Sequence, residues 1–122
     1  MKCFMPEELS GYCQKLLTGI GVDPWCAQVT ADMLVDADMC GVSSHGVSRM
    51  SIYVQRIQRG LVAKENRIQI VEEGPSTLVV DAGNTLGAPS ARFTMEACIR
   101  KAGETGCCFA AVRNSNHFGT AA

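Results

Sequence analysis

The hydrophobic pattern of this chain changes once, and that change constrains the fold more than any other feature. Over residues 1–60 apolar residues recur at helical spacing, whereas after Lys64 they form the short alternating or continuous runs that are typical of strands. We therefore predict an α/β protein. A three-helix unit is expected over residues 1–62, followed by the start of a mixed α/β sheet domain over residues 63–122.

Start and stop signals divide the first unit into three helices. Pro6 opens the first helix, and Asp23 caps the second, which ends at Gly41. The serine pair at 43–44 predicts the cap of a third helix, which stops at Gly60. The predicted inward faces are Leu9, Cys13, Leu16, Leu17 and Ile20, then Cys26, Val29, Met33, Ala37 and Cys40, then Val47, Met50, Val54, Ile57 and Leu61.

The second unit begins a sheet. Two apolar runs, Ile68–Ile70 and Leu78–Val80, are separated by the turn dipeptide Gly74-Pro75. A helix over about 89–102 and a buried strand over 107–112 follow. The helix is predicted to pack through Phe93, Met95 and Ile99.

Composition excludes several classes of function. The net charge is −1, and acidic and basic residues are interspersed, so the sequence shows no basic cluster of the kind that binds nucleic acid or a membrane surface. No transmembrane span or signal peptide is evident, so we expect a cytoplasmic protein. Because no Cys-x-x-Cys occurs, the seven cysteines are interpreted as reduced core residues, including Cys107 or Cys108, and no metal site is expected.

The chain has two histidines, and the first lies in a row of polar side chains. His45, Arg49 and Tyr53 follow each other at helical i, i+4 spacing, with Ser44 beside the first. An arginine can bind a carboxylate through two parallel hydrogen bonds, and the other groups can donate to a hydroxyl or carbonyl oxygen. The row therefore suits a small anionic substrate. From spacing alone, a solvated helix face with a capping serine is the more common explanation.

The second histidine, His117, follows the predicted strand that ends at Arg113. Ligands gather beyond the carboxyl ends of strands in α/β sheets, and residues 114–119 occupy such a position. Flanking asparagines can fix the histidine tautomer, and Gly119 permits close backbone approach. An ordinary Asn/Ser turn is about equally compatible with this segment.

Taken together, three segments carry a resemblance to a known family. In this order, SSHGVSRMSIYVQRIQRG, VVDAGNTLGAPSA and AVRNSNHFGTA closely resemble the N-terminal part of the type 2 malate/L-lactate dehydrogenases, which include ureidoglycolate, sulfolactate and diketogulonate enzymes. The resemblance implies an oxidoreductase that transfers a hydride between NAD or NADP and a small 2-hydroxy acid. It also implies a homodimer and a cofactor domain that is not a classical Rossmann unit. Consistent with this, no Gly-x-Gly-x-x-Gly or P-loop occurs.

The resemblance and the chemistry of these side chains suggest a role for each one. Arg49 is expected to clamp the substrate carboxylate. Either histidine can serve as the acid/base. We favour His117, on a loop at a strand end, with His45 orienting the substrate oxygen. The remaining candidates are hydrogen-bond donors to substrate, Ser44 and Tyr53, and residues near the cofactor, Asn116 and Gly119, with Asn116 also holding the His117 loop.

Each of three candidates has an equally plausible structural role. Ser44 can be a helix cap, Tyr53 a surface phenol and Asn116 a turn former. Family members are roughly three times this long, consistent with more than one domain, so we expect the 122 residues to be an N-terminal portion that is inactive alone. The alternative is a non-catalytic fragment or helical interaction module derived from such an enzyme.

Overall fold

The computed structural model describes residues 2–121. The first two helices are α1 (Pro6–Gly19) and α2 (Pro24–Met39), and each has a proline in its first turn, where the missing N–H costs no helical hydrogen bond. The predicted cap of α2 is confirmed, because the Asp23 carboxylate accepts a hydrogen bond of 3.0 Å from the Cys26 N–H. Gly41 follows α2 with a positive φ of 76°, which terminates it.

The third helix begins later than its apolar pattern predicts. Two short 3₁₀ turns, Ser43–His45 and Val47–Arg49, precede α3 (Met50–Gln58). The prediction that a serine caps this helix is wrong, since no side chain there makes a capping bond. Instead, Asp38 on α2 accepts a 2.8 Å hydrogen bond from the Val47 N–H, and so anchors the start of the segment.

The sheet is mixed, as predicted. Its strands are β1 (Gln69–Glu73), β2 (Thr77–Asp81) and β3 (Phe109–Arg113). The order is β1-β2-β3, with an antiparallel hairpin followed by a parallel pair. A parallel pair needs a long crossover, which α4 (Gly87–Thr105) provides. Because β2 and β3 are parallel, the end of β3 at Arg113 lies beside the end of β2 at Asp81, close to where the chain enters α4.

The main core lies among α1, α2 and α3, with α4 packed across α2 and the sheet. No helix within residues 2–121 combines the length and hydropathy needed to cross a bilayer. The largest fully buried side chains of the helical core are Cys13, Leu17, Cys26, Leu34 and Ile57. Of the predicted inward positions, Leu16, Cys40 and Leu61 are exposed instead.

Three predictions about burial are wrong, two of them in the second unit. Strand β3 is mostly exposed, with Phe109 at 78%, and Met95 and Ile99 of α4 are also exposed. Of the seven cysteines only Cys13 and Cys26 are buried. Apolar periodicity identifies a face that is suited to burial, but burial also needs a covering layer, and none within residues 2–121 covers these side chains.

Candidate active site

The predicted site residues come from two distant segments that the fold brings together. The 3₁₀ turns and α3 supply Ser44, His45, Arg49 and Tyr53, and the loop after β3 supplies His117. The Tyr53 hydroxyl lies 2.7 Å from Nδ1 of His117. The rings of His45 and His117 are stacked, with centroids 5.5 Å apart and planes inclined by 28°. One imidazole pair, a phenol and a guanidinium therefore share one region.

Local hydrogen bonds fix the orientation of the first segment. Arg49 donates from Nε to the Ser44 carbonyl oxygen over 2.8 Å, which leaves its two terminal NH₂ groups free for a fork-like contact. The Ser44 hydroxyl lies 2.9 Å from Nδ1 of His45. Ser44 therefore contacts the neighbouring histidine ring rather than acting as a helix cap.

Tyr53 is not the surface phenol that one interpretation of the sequence suggested. The residue is only 6% exposed and packs in the helical core. Burial raises the pKa of the Tyr53 phenol, against a smaller lowering effect of the Arg49 charge. The hydroxyl group therefore keeps its proton at neutral pH and is available to donate to His117.

The His117 loop is held by its neighbours on both sides. The Asn116 side-chain NH₂ donates to the Thr85 carbonyl at 2.9 Å and to the Asn84 side-chain oxygen at 3.0 Å. The Ser115 hydroxyl lies 2.8 Å from that of Ser90 on α4. Asn116 therefore tethers the loop to the segment between β2 and α4.

Asp81, at the end of β2, organises the corner that precedes this loop. Its carboxylate accepts hydrogen bonds from the Gly83 N–H at 2.8 Å, from Arg113 at 2.9 Å and from the Asn114 side chain at 3.1 Å. These contacts, chiefly the Gly83 N–H, lower the pKa of the Asp81 carboxyl. Asn114 itself has a positive φ of 54°, which an asparagine tolerates.

Gly87, the first residue of α4, lies directly against the loop. A Cβ atom built at this position would overlap the carbonyl oxygens of Asn116 and His117. Because those oxygens belong to the backbone, a side-chain rotation cannot relieve the overlap. Neither Gly87 nor Asp81 was a sequence candidate, and the LGAPSA segment offered the one signal for Gly87.

The surroundings of His117 determine its protonation state. The Gly119 N–H donates to His117 Nδ1 at 3.3 Å, and since a backbone N–H only donates, the neutral ring carries its proton on Nε2. Burial, then the Arg49 charge, then His45 lower the pKa of His117. The ring is therefore neutral at neutral pH. Gly119 has a φ of 91°, and a Cβ there would overlap the Met33 sulfur, so packing alone accounts for the glycine.

A pocket of about 410 Å³ opens beside these residues. This volume lies within the roughly 300–1,000 Å³ range of small-molecule sites. Ser44, His45 and Gly119 do not line it. The lining residues come from the 3₁₀ turn before α3, α3 itself, the segment after it, the residue before α4 and the His117 loop, namely Arg49, Ile52, Tyr53, Arg56, Val62, Leu86, Ser115, Asn116 and His117.

A larger cavity of about 570 Å³ lies among α1, α2 and α4. Acidic and apolar side chains, such as Asp32, Asp36 and Met39, line it, and it contains none of the predicted site residues. Among residues 2–121 there is also no group of three or more His, Cys, Asp or Glu side chains that could hold a metal ion. The pocket beside His117 is therefore the candidate site.

An α/β fold with an imidazole, a phenol and arginines around one pocket is typical of an enzyme that binds a small anion and moves a proton. The model of the malate/L-lactate dehydrogenase family matches residues 4–122, and the chain belongs to that family.

Curated relatives are similar over nearly the whole chain. Malate dehydrogenase of Pyrococcus abyssi is 39% identical over 94% of this chain and 32% of its own length. L-sulfolactate dehydrogenase of Methanocaldococcus jannaschii is 38% identical over 95% of this chain and 34% of its own length. The chain thus spans about a third of the length of the curated relatives that it matches.

A solved structure has the same fold. The malate dehydrogenase of Pyrococcus horikoshii superimposes with a TM-score of 0.91 at 39% identity, covering 95% of this chain and 33% of that one. The α/β class predicted from the sequence is therefore confirmed.

Proposed function

We propose that this chain supplies the carboxylate-binding and acid–base groups of a dehydrogenase that acts on a small 2-hydroxy acid. The observation that carries the proposal is the convergence of Arg49, Tyr53 and His117 on one pocket, with the Tyr53 hydroxyl 2.7 Å from His117 Nδ1. The relatives include proteins named malate, sulfolactate and ureidoglycolate dehydrogenases, and this supports the same class of reaction.

The pocket suits a nicotinamide ring. Ile52, Val62 and Leu86 give it an apolar wall against which a flat ring can pack. Asn116 also lines it, and since its NH₂ group is engaged with residues 84–85, its amide oxygen remains as an acceptor for a carboxamide. When bound, NAD or NADP accepts or returns the hydride. Asn116 and the nearby Gly119 backbone are the residues that we propose lie beside it.

Arg49 binds the substrate carboxylate. Its Nε already donates to the Ser44 carbonyl oxygen, so the guanidinium plane is held while its terminal NH₂ groups donate to the substrate carboxylate. His45 does not line the pocket itself, but its ring stacks against His117 and is oriented through Nδ1 by the Ser44 hydroxyl. Its Nε2 makes no hydrogen bond within the described residues, and we assign it to the substrate oxygen.

His117 moves the proton. Oxidation of the hydroxy acid uses the other neutral tautomer, in which Nδ1–H donates to the Tyr53 oxygen and the free Nε2 accepts the hydroxyl proton. This tautomer gives up the Gly119 N–H contact at Nδ1. In the reverse direction the doubly protonated ring returns the Nε2 proton to the substrate oxygen. Burial keeps the Tyr53 phenol protonated, so it serves as a partner to the ring and not as a competing base.

Four further features belong to the same proposal. Residues 1–62 and 63–122 form two structural units, and the active form is a cytoplasmic homodimer. Because the relatives are about three times as long, the 122 residues alone are inactive. The alternative is a non-catalytic helical module, which would need none of these side chains to face a common pocket.

The test is reduction of 2-oxo acids by a full-length protein that contains these residues. Oxidation of NADH and of NADPH is followed at fixed oxaloacetate or pyruvate, with the His117→Ala variant as the blank. Turnover that depends on His117 is expected with at least one cofactor and one acid. A well-folded protein with no turnover of any 2-hydroxy or 2-oxo acid would favour the non-catalytic alternative.

A further inference from the structure

Helix α3 presents a second arginine to the candidate pocket. Arg49 and Arg56 both line it, with Ile52 and Tyr53 between them. Arg49 immediately precedes α3 and Arg56 lies near its end, and seven residues of helix correspond to about two turns, or roughly 10 Å along the axis with nearly the same facing direction. Both guanidinium groups therefore lie along one wall of one pocket.

The positive charge of this wall has no counterpart within the pocket. None of the nine lining residues is an Asp or Glu. The four ion pairs found within residues 2–121 also involve neither Arg49 nor Arg56. A monoanionic acid on Arg49 would leave the second guanidinium without a counter-charge, whereas an acid with two anionic groups would neutralise both.

We propose that Arg56 binds the distal anionic group of a dianionic 2-hydroxy or 2-oxo acid, whether carboxylate or sulfonate, and so selects dianions over monoanions. This inference rests on the proposed function, in which Arg49 binds the carboxylate beside the reacting carbon. Arg56 is exposed and makes no side-chain hydrogen bond within the described residues, so it is free to bind the distal group. It acts on specificity rather than on the proton.

Arg56→Gln in the full-length enzyme tests the proposal, with Arg59→Gln as its matched control. Arg59 is an exposed arginine at the end of the same helix and does not line the pocket. The substrates are oxaloacetate, sulfopyruvate, pyruvate and the amide of the distal carboxylate of oxaloacetate, which keeps the shape and loses one charge.

Arg56→Gln is expected to lower kcat/KM for at least one dianion on the order of ten-fold or more, as for loss of a charge-assisted hydrogen bond. The two monoanions should change less than two-fold, and Arg59→Gln should change neither class. The dianion with the larger loss identifies the distal group as carboxylate or sulfonate. Equal losses on all four acids, or no loss on either dianion, would overturn the proposal.

Calorimetric titration gives a readout that does not need turnover. The wild-type full-length protein should bind L-malate more tightly than the monoamide of L-malate at its distal carboxylate, and Arg56→Gln should abolish that preference. If the preference depends on Arg56 but no acid is turned over, the dehydrogenase proposal fails and the Arg56 proposal stands. If acids are turned over without an Arg56-dependent preference, the reverse holds.

Discussion

The Tyr53 hydroxyl and Nδ1 of His117 lie 2.7 Å apart and join residues that are 64 positions apart in the chain. Tyr53 is fixed by burial in the helical core, and His117 is on a loop that begins at the end of a strand. The contact therefore connects the helical unit to the sheet at the candidate site. It also places a phenol that can donate or accept on the ring nitrogen opposite Nε2.

Tyr53→Phe is expected to lower kcat for hydroxy acid oxidation about three- to ten-fold, as for the loss of one hydrogen bond of about 1 kcal/mol. The ring volume is retained, so the core should stay packed. Steady-state kinetics of the full-length enzyme measures the effect, and Tyr12→Phe, at an exposed position on α1, is the control. If kcat is unchanged, Tyr53 does not support the proton transfer.

The pH profile identifies the histidine that moves the proton. Because the pKa of His117 lies below its ordinary value of about 6.5, the neutral base is present at neutral pH, and oxidation should fail only as the pH drops below that value. His45→Phe removes one cause of the lowered pKa, so the acid limb of kcat/KM should move to higher pH.

His117→Ala should remove that limb and lower kcat by roughly 10²–10⁴-fold. Measuring kcat/KM from pH 5 to 9 for both variants separates the two histidines. A limb that survives His117→Ala and disappears in His45→Phe would assign the acid–base role to His45.

Arg49→Ala should raise KM for the hydroxy acid ten-fold to more than a hundred-fold, since a bidentate charged contact contributes on the order of 1.5–3 kcal/mol. Arg49→Lys should recover little, because an ammonium group cannot form the fork. Fluorescence titration with NADH and NADPH should show little change in cofactor affinity. Equal losses of substrate and cofactor binding would indicate a folding defect instead.

Much of the fold was predictable because its signals are local. The helical period, the Asp23 cap and the Gly74-Pro75 turn each act within a few residues, and all three are confirmed. The candidate site residues also lie in two short segments, so the sequence alone was enough to propose them as a group. That His45 and His117 lie side by side also depends on the packing of distant elements.

Contacts between distant segments of the chain could not be predicted from the sequence. Asp38 anchors Val47 from another helix, and a Cβ on Gly46 would overlap the Asp38 carboxylate, so the start of α3 depends on packing that no cap signal encodes. The exposure of β3 was missed for a related reason. The apolar residues of β3 indicate that the strand is suited to burial, but whether it is buried depends on another layer of structure packing over it.

Gly87→Ala tests whether the close approach of α4 positions His117. The added Cβ would overlap the backbone oxygens of Asn116 and His117, so the loop must move away from the helix. Small displacements of a catalytic group are costly, and kcat is expected to fall on the order of 10²-fold. The shape of the pH profile should persist, because His117 remains present.

Gly103→Ala is the matched control in the same helix. A Cβ there has no neighbour within 4 Å, and alanine favours helix by about 0.8–1 kcal/mol over glycine, so this variant should keep full activity and unfold at the same or a higher temperature. A crystal structure of the Gly87→Ala variant should show the His117 ring displaced from Tyr53. Wild-type kcat with an undisturbed Tyr53–His117 contact would mean that the loop accommodates the methyl group and that Gly87 does not position the histidine.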